Sequence, residues 1–174
     1  MKQILIVLCI ISIIIPCIVY GVAGFKALSM GANCIEYLSL AADANNTVMA
    51  ERHLTSAINY LEAHNLTSGN TNIFINHPTN DLGIWYDNLK AAQIQLQEIN
   101  AREDVTELEE SNVLMKLRET LLSSEGNVTH PEHISFYPNH VAWFQWMVTI
   151  WLLWVLAFIF GCVVYDEYEG DRKE

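Results

Sequence analysis

Residues 4–23 read ILIVLCIISIIIPCIVYGVA, and residues 141–165 read VAWFQWMVTIWLLWVLAFIFGCVVY. Each stretch has about 20 or more residues of mostly apolar types, roughly what a helix needs to cross a hydrocarbon core of about 30 Å. Neither stretch contains Asp, Glu, Lys or Arg. The pattern predicts two transmembrane helices with a helical extramembrane domain at residues 24–140 between them.

The first apolar stretch has a competing interpretation as a signal peptide. Lys2 supplies the positive charge of a minimal n-region, and residues 22–24 are small enough for a signal-peptidase cleavage site. Apolar character continues beyond Pro16, however, and this makes the stretch long enough to cross a bilayer. We therefore expect an uncleaved anchor with a kink at Pro16.

Two short tails flank the predicted spans, at residues 1–3 and 166–174, and the second is acidic. Their positive residues are Lys2, Arg172 and Lys173, and positive residues beside a span favour the cytoplasmic side. We expect a plasma or inner membrane, with both termini cytoplasmic and the domain periplasmic or extracellular.

The domain between the spans is acidic. Residues 25–142 contain six Lys or Arg against fifteen Asp or Glu, a net charge of −9. Such a surface repels nucleic acid, so no nucleic-acid partner is expected. The expected partners are the lipid bilayer and either another protein or a second copy of the chain. Cys34 is the one cysteine of this range, so it has no partner there for a disulfide.

Two long parts of the domain have helical patterns. Residues Phe25 to His64 lack proline and repeat apolar residues at helical spacing, which predicts one helix with a weak point at Asn45-Asn46-Thr47. A loop is predicted at residues 65–80, and Ile73, Phe74 and Ile75 within it are expected to pack against the helices. A second helix is predicted from Asp81. Its seven-residue repeat is typical of a coiled-coil packing face and consists of Leu82, Trp85, Leu89, Ala92, Leu96 and Ile99.

The repeat slips near Asn100–Asp104. It resumes as Val105, Leu108, Asn112, Met115 and Leu122. Because no Gly or Pro lies at the slip, one nearly continuous helix to Ser123 is predicted. The fold class is then an all-α membrane protein whose domain is an antiparallel helical hairpin with arms of roughly 60 and 65 Å. A true break at the slip would instead give a short three-helix bundle.

Two groups of polar residues are candidate sites. The weak metal candidates are His130, Glu132, His133 and His140, whose side chains are ordinary zinc ligands. Their loop establishes no ligand spacing, so no metal site is predicted. The partner-binding candidates, at the predicted tip of the hairpin, are His77, Asn80, Asp81, Trp85, Tyr86 and Asn88. Aromatic and hydrogen-bonding side chains are typical of recognition surfaces. In the competing interpretation, they only cap a helix and begin its packing face.

Three functional hypotheses follow. The sequence has no catalytic or cofactor-binding motif, which favours a non-enzymatic protein without a cofactor. The leading hypothesis is a membrane protein whose helical domain binds a partner or forms a homo-oligomer. The second is a sensor or accessory subunit that responds to an envelope ligand or to pH, since the layout resembles that of bacterial sensor input modules. A small channel subunit is disfavoured because neither span has an ionisable residue in its core.

Overall fold

The computed structural model describes the backbone of residues 2–171 and the side chains of residues 14–159 and 161. The outer ends of the two predicted tails, Met1 and residues 172–174, lie outside the described residues. Within the described range the protein is helical, and its strand-like pairing is limited to isolated bridges. The chain divides into two compact units, Met1–Gly24 with Val141–Glu174 and Phe25–His140. We call the second the helical unit.

The described residues form six α-helices. They are α1 (Lys2–Met30), α2 (Glu36–Ala42), α3 (Thr47–Ala63), α4 (Leu82–Asn100), α5 (Glu107–Leu121) and α6 (His140–Asp171). A π-helical segment, Gly31–Ile35, joins α1 to α2, and short 3-10 turns occur at Pro78–Asn80 and Ile134–Phe136.

Two helical stretches, Ile14–Ala42 and His140–Ile159, are long and apolar enough to cross a membrane. The far part of the first stretch belongs to the core of the helical unit, where Cys34 and Leu38 are fully buried. Its exposed apolar side chains are therefore concentrated between residues 14 and 28.

The predicted first arm is broken, so the prediction of one helix from Phe25 to His64 is wrong. Helix α2 ends at Ala42, and α3 begins after Asn46, whose Oδ1 accepts a hydrogen bond from the Met49 N–H at 2.8 Å. The first N–H groups of a helix have no partner within it, and an Asn side chain at this position satisfies one of them. The weak point noted in the sequence is thus the place where the chain turns.

Helix α3 folds back along the segment that precedes it. Ser29 Oγ lies 3.3 Å from the Tyr60 hydroxyl oxygen, and the rings of Tyr37 and His53 have centroids 6.1 Å apart. Early residues of one helix therefore face late residues of the other, and the two segments are antiparallel.

The predicted second arm is also broken, because α4 ends at Asn100 and α5 starts at Glu107. Thr106 Oγ1 accepts a hydrogen bond from the Glu109 N–H at 3.2 Å, and Glu109 Oε2 accepts one from the Thr106 N–H at 3.0 Å. This reciprocal capping box begins a new helix without Gly or Pro. Helix α5 then packs against α2, α3 and α4. The helical unit is thus neither a two-arm hairpin nor a three-helix bundle.

One hydrophobic core lies among these helices. Its fully buried large side chains include Leu38, Leu54, Ile58, Leu61, Leu82, Leu89, Leu96 and Leu121. The first half of the seven-residue repeat faces this core, but Leu108 and Met115 from the second half are 71% and 56% exposed. The capping box starts α5 in a new rotational phase, so Leu117 and Leu121 form its buried face instead.

The first and last residues of the helical unit lie at the same end of it. The contact between Ser29 and Tyr60 brings the start of the unit to the end of α3. Tyr137 lies against Gly69, where a Cβ atom would overlap the tyrosine hydroxyl. We call this end, formed by residues 25–30, 60–85 and 121–140, the attachment end. The turns at residues 43–46 and 101–106 form the opposite end, which we call the turn end.

This arrangement corrects the predicted position of the 65–80 loop. The sequence places the loop at the tip of a long hairpin, farthest from the apolar segments. In the structure it lies at the attachment end, because the chain has already reversed once at Asp43–Asn46.

The new phase of α5 predicts a large loss of stability for one leucine substitution and almost none for another. Leu96→Ala should lower the free energy of unfolding by about 2–5 kcal/mol, because it leaves a cavity in the core. Leu108→Ala should change it by no more than about 0.5 kcal/mol, as is usual for exposed positions. Denaturant unfolding of the full chain in micelles, followed by circular dichroism, measures both. A cost for Leu108→Ala as large as that for Leu96→Ala would contradict the outward orientation.

Candidate functional site

Two of the partner-binding candidates begin helices at the attachment end. Asp81 caps α4, with its Oδ1 accepting hydrogen bonds from the N–H groups of Gly83 at 2.8 Å and Ile84 at 3.2 Å. His77 starts the 3-10 turn, where its Nδ1 accepts from the Thr79 N–H at 3.3 Å. Both side chains therefore hold the local backbone, as in the competing interpretation of these residues.

Asn80 and Trp85 are also bound within the helical unit. Asn80 is buried, and its backbone carbonyl accepts a hydrogen bond from the Thr71 N–H at 2.9 Å. The half-buried Trp85 donates its indole N–H to the Thr129 carbonyl at 2.9 Å. Trp85 thereby ties α4 to the loop that follows α5. The sequence gives no sign of this contact, because its partners are 44 positions apart.

Tyr86 is part of a polar contact between α3 and α4, whereas Asn88 is exposed on α4. The Tyr86 hydroxyl donates to Glu62 Oε1 at 2.6 Å, and Lys90 Nζ lies 3.5 Å from the same oxygen. The hydrogen bond from Tyr86, followed by the positive charge of Lys90, holds the pKa of Glu62 below its usual value. The same hydrogen bond, with burial and nearby acids, raises the pKa of Tyr86 to about 12.

The structure does not gather the metal candidates into a ligand set. His130 Nδ1 lies 3.0 Å from the Pro131 carbonyl oxygen, and the ring of His140 stacks on Tyr137. Glu132 and His133 are exposed. Among the side chains that the structure describes, no group of three or more His, Cys, Asp or Glu is placed to hold a metal ion.

A polar cluster at the turn end was not anticipated from the sequence. The Thr47 hydroxyl donates to Asn100 Oδ1, the Thr47 N–H donates to Glu110 Oε1 at 3.1 Å, and Asn100 Nδ2 donates to Glu51 Oε2 at 2.7 Å. These bonds join α3 to α4 and α5. Each carboxylate oxygen in these contacts accepts a hydrogen bond from a residue of another helix. The cluster therefore has a structural role, which is to join these helices.

An open depression of about 480 Å³ lies beside the end of α5. It is lined by Arg118, Glu119, Leu122, Ser123, Ser124 and Gly126. Arg118 Nη2 lies 3.5 Å from Asp43 Oδ1, so its charge is already partly balanced. The depression is wide open to solvent, so it offers no enclosed site for chemistry.

The exposed apolar side chains of the helical unit include two groups on different elements. The first is on α5 and comprises Leu108 and Met115. The second is the tip of the 65–80 loop, where Ile73 is 37%, Phe74 73% and Ile75 66% exposed. The expectation that these three residues pack against the helices is therefore wrong for Ile75.

The comparisons with known proteins give no relative for this chain, since no family model, no curated protein and no solved structure matches it.

The contact between Glu62 and Tyr86 predicts a pH effect with a defined sign. A lowered folded-state pKa means that Glu62 adds stability above its unfolded pKa and loses this contribution as the pH falls through the lowered value. Tyr86→Phe should raise the pKa of Glu62 and weaken the dependence of unfolding on acid pH. Carboxyl carbon chemical shifts, followed by NMR during titration, measure the pKa directly.

Lys90→Met is the matched control, because it removes the weaker charge contribution and leaves the hydrogen bond. It should raise the pKa of Glu62 less than Tyr86→Phe does. An unchanged pKa of Glu62 in Tyr86→Phe would show that the hydrogen bond does not form in solution.

Proposed function

We propose that this chain is an integral membrane protein with two spans, and that its helical unit binds a protein without catalysing a reaction. The membrane placement is supported by α6, where Trp151, Leu156 and Phe158 are all more than half exposed. Water disfavours such a surface and a hydrocarbon core accommodates it, while the helix satisfies its own backbone hydrogen bonds. The positive residues of the tails support cytoplasmic termini, with the helical unit in the periplasm or outside the cell.

One observation carries the binding role, namely the outward position of Leu108 and Met115 on α5. Residues seven apart lie on the same face of a helix, so these two large apolar side chains, two turns apart, mark one face of α5, which we call the strip. An amphipathic helix of a partner, or α5 of a second copy, would cover such a strip. The acidic charge of the helical unit would keep unrelated acidic proteins away.

The strip is a better candidate for binding than the predicted partner-binding residues near the loop. Trp85, Asp81 and His77 are already engaged in bonds within the helical unit. Leu108 and Met115 have no comparable structural role, and removing them from water would stabilise a complex.

Site-specific photo-crosslinking in living cells tests this function. A benzophenone amino acid in place of Met115 should produce an adduct of higher mass, because the strip is covered in the complex. Mass spectrometry of the adduct identifies either a second copy or a different protein. The matched control replaces Met49, which is also exposed but lies on α3.

The proposal requires the yield of adduct from position 115 to be clearly higher than the yield from position 49. Equal yields at the two positions, or an uncrosslinked chain in both, would contradict binding through this strip.

A further inference from the structure

Three acceptor motifs for N-linked glycans lie between the two apolar stretches of the sequence. The pattern Asn-X-Ser/Thr, in which X is not proline, occurs as Asn45-Asn46-Thr47, Asn65-Leu66-Thr67 and Asn127-Val128-Thr129. The two apolar stretches and the two tails contain no such motif. Because residues 24–140 form one connection between the stretches, a two-span arrangement places all three motifs on the same side of the membrane.

The structure places the asparagine of each motif in an exposed connection. Asn45 lies in the bend between α2 and α3, Asn65 in the turn after α3, and Asn127 in the loop after α5. The exposed asparagines inside α-helices lack the motif, namely Asn59, Asn88 and Asn112. A glycan is bulky and hydrophilic, and it needs an acceptor in a surface loop. All three motifs therefore meet this requirement in the folded helical unit.

The amide nitrogens of these three side chains are not used to hold the fold. Asn100 Nδ2, by contrast, donates a hydrogen bond to Glu51 Oε2 at 2.7 Å and so joins α4 to α3. Among the residues that the structure describes, the Nδ2 atoms of Asn45, Asn65 and Asn127 donate no hydrogen bond. A sugar that replaces one amide hydrogen at these positions would therefore break no hydrogen bond of the helical unit.

The three acceptors lie outside the helix that carries the strip. Asn45 belongs to the turn end, whereas Asn65 and Asn127 belong to the attachment end. Helix α5 contains no motif, because its one asparagine, Asn112, has Leu114 two positions later. Glycans on the three acceptors would thus be attached to connections at the two ends of the helical unit, and none would be attached to α5 itself.

We propose that Asn45, Asn65 and Asn127 carry N-linked oligosaccharides, which are transferred as the chain enters the lumen of a secretory compartment. The inference rests on the placement of the helical unit outside the cytoplasm in the proposed function. In the transfer, the asparagine Nδ2 forms a bond to the anomeric carbon of a sugar that a membrane lipid carries as its diphosphate. The bond from this carbon to the diphosphate oxygen breaks, the amide loses one proton, and the lipid diphosphate leaves.

Mass spectrometry of the full chain tests the modification at each position. The chain is purified from the membranes of the cells that produce it and is treated with peptide N-glycosidase in heavy-oxygen water. This enzyme removes the glycan and converts the acceptor asparagine to aspartate, so each former acceptor gains a heavy oxygen atom. Positions 45, 65 and 127 should be labelled, and position 112 should not. A chain without label at the three positions would overturn the proposal.

Variants translated in the presence of endoplasmic-reticulum microsomes assign each glycan. Asn45→Gln, Thr67→Ala and Asn127→Gln should each remove one step of the glycosidase-sensitive mobility shift, and the triple variant should remove all of it. Thr67→Ala leaves Asn65 in place, whose backbone is left-handed. Thr67→Ser keeps the motif and Asn112→Gln changes an asparagine without one, so both should retain all three steps. A shift that persists in the triple variant would overturn the assignment.

Protease protection in the same sealed microsomes separates this inference from the proposed placement. A protease added outside the vesicles cannot reach residues 24–140 when these lie in the lumen, so the helical unit should be protected and should carry the glycans. A protected helical unit without glycans would overturn the modification and leave the placement intact. A helical unit that is digested and carries no glycan would overturn both.

Discussion

The reversal of the chain at Asp43–Asn46 is the constraint on which the rest of the helical unit depends. Asn46 caps the start of α3, where its side chain accepts a hydrogen bond from the Met49 N–H. Because α3 then runs back along the preceding helix, the 65–80 loop returns to the end where the unit starts. The placement of the loop, the packing of Tyr137 on Gly69 and the bond between Trp85 and Thr129 all depend on this return.

Polar bonds at the turn end hold the reversal in place. The Glu110 carboxylate accepts a hydrogen bond from the Thr47 N–H at the first turn of α3. A negative group at this position also interacts favourably with the helix dipole. The Thr47 hydroxyl bonds Asn100 at the end of α4, so one residue joins three helices. The turn is therefore supported by residues that are more than fifty positions away in the chain, rather than by its local sequence alone.

The sequence was a good guide to the elements whose causes are local. The helical class, two apolar stretches long enough to span a membrane, the Asp81 cap and the buried positions of Leu82, Leu89 and Leu96 could all be read from spacing and residue type. Asn45-Asn46-Thr47 was visible as a weak point. Whether a helix continues through such a point or stops there is decided by tertiary packing, since local propensities differ by less than about 1 kcal/mol per residue.

The candidate site was harder to predict for the same reason. The residues at the predicted tip are polar or aromatic, as in recognition surfaces, yet Trp85 is held by a carbonyl from a distant loop. The capping box at Thr106 and Glu109 resets the phase of α5, which turns Leu108 and Met115 outward. That motif is readable in the sequence, whereas the face that results depends on how α5 packs against α2, α3 and α4.

A distance between two spin labels tests the chain reversal most directly. The labels are attached through Leu28→Cys and Ala63→Cys, both at exposed positions, in a chain from which the other accessible cysteines are removed. Packed helices have axes about 8–10 Å apart, so double electron–electron resonance should give a distance below about 25 Å. One uninterrupted helix would separate the labels by about 50 Å, and that result would contradict the fold described here.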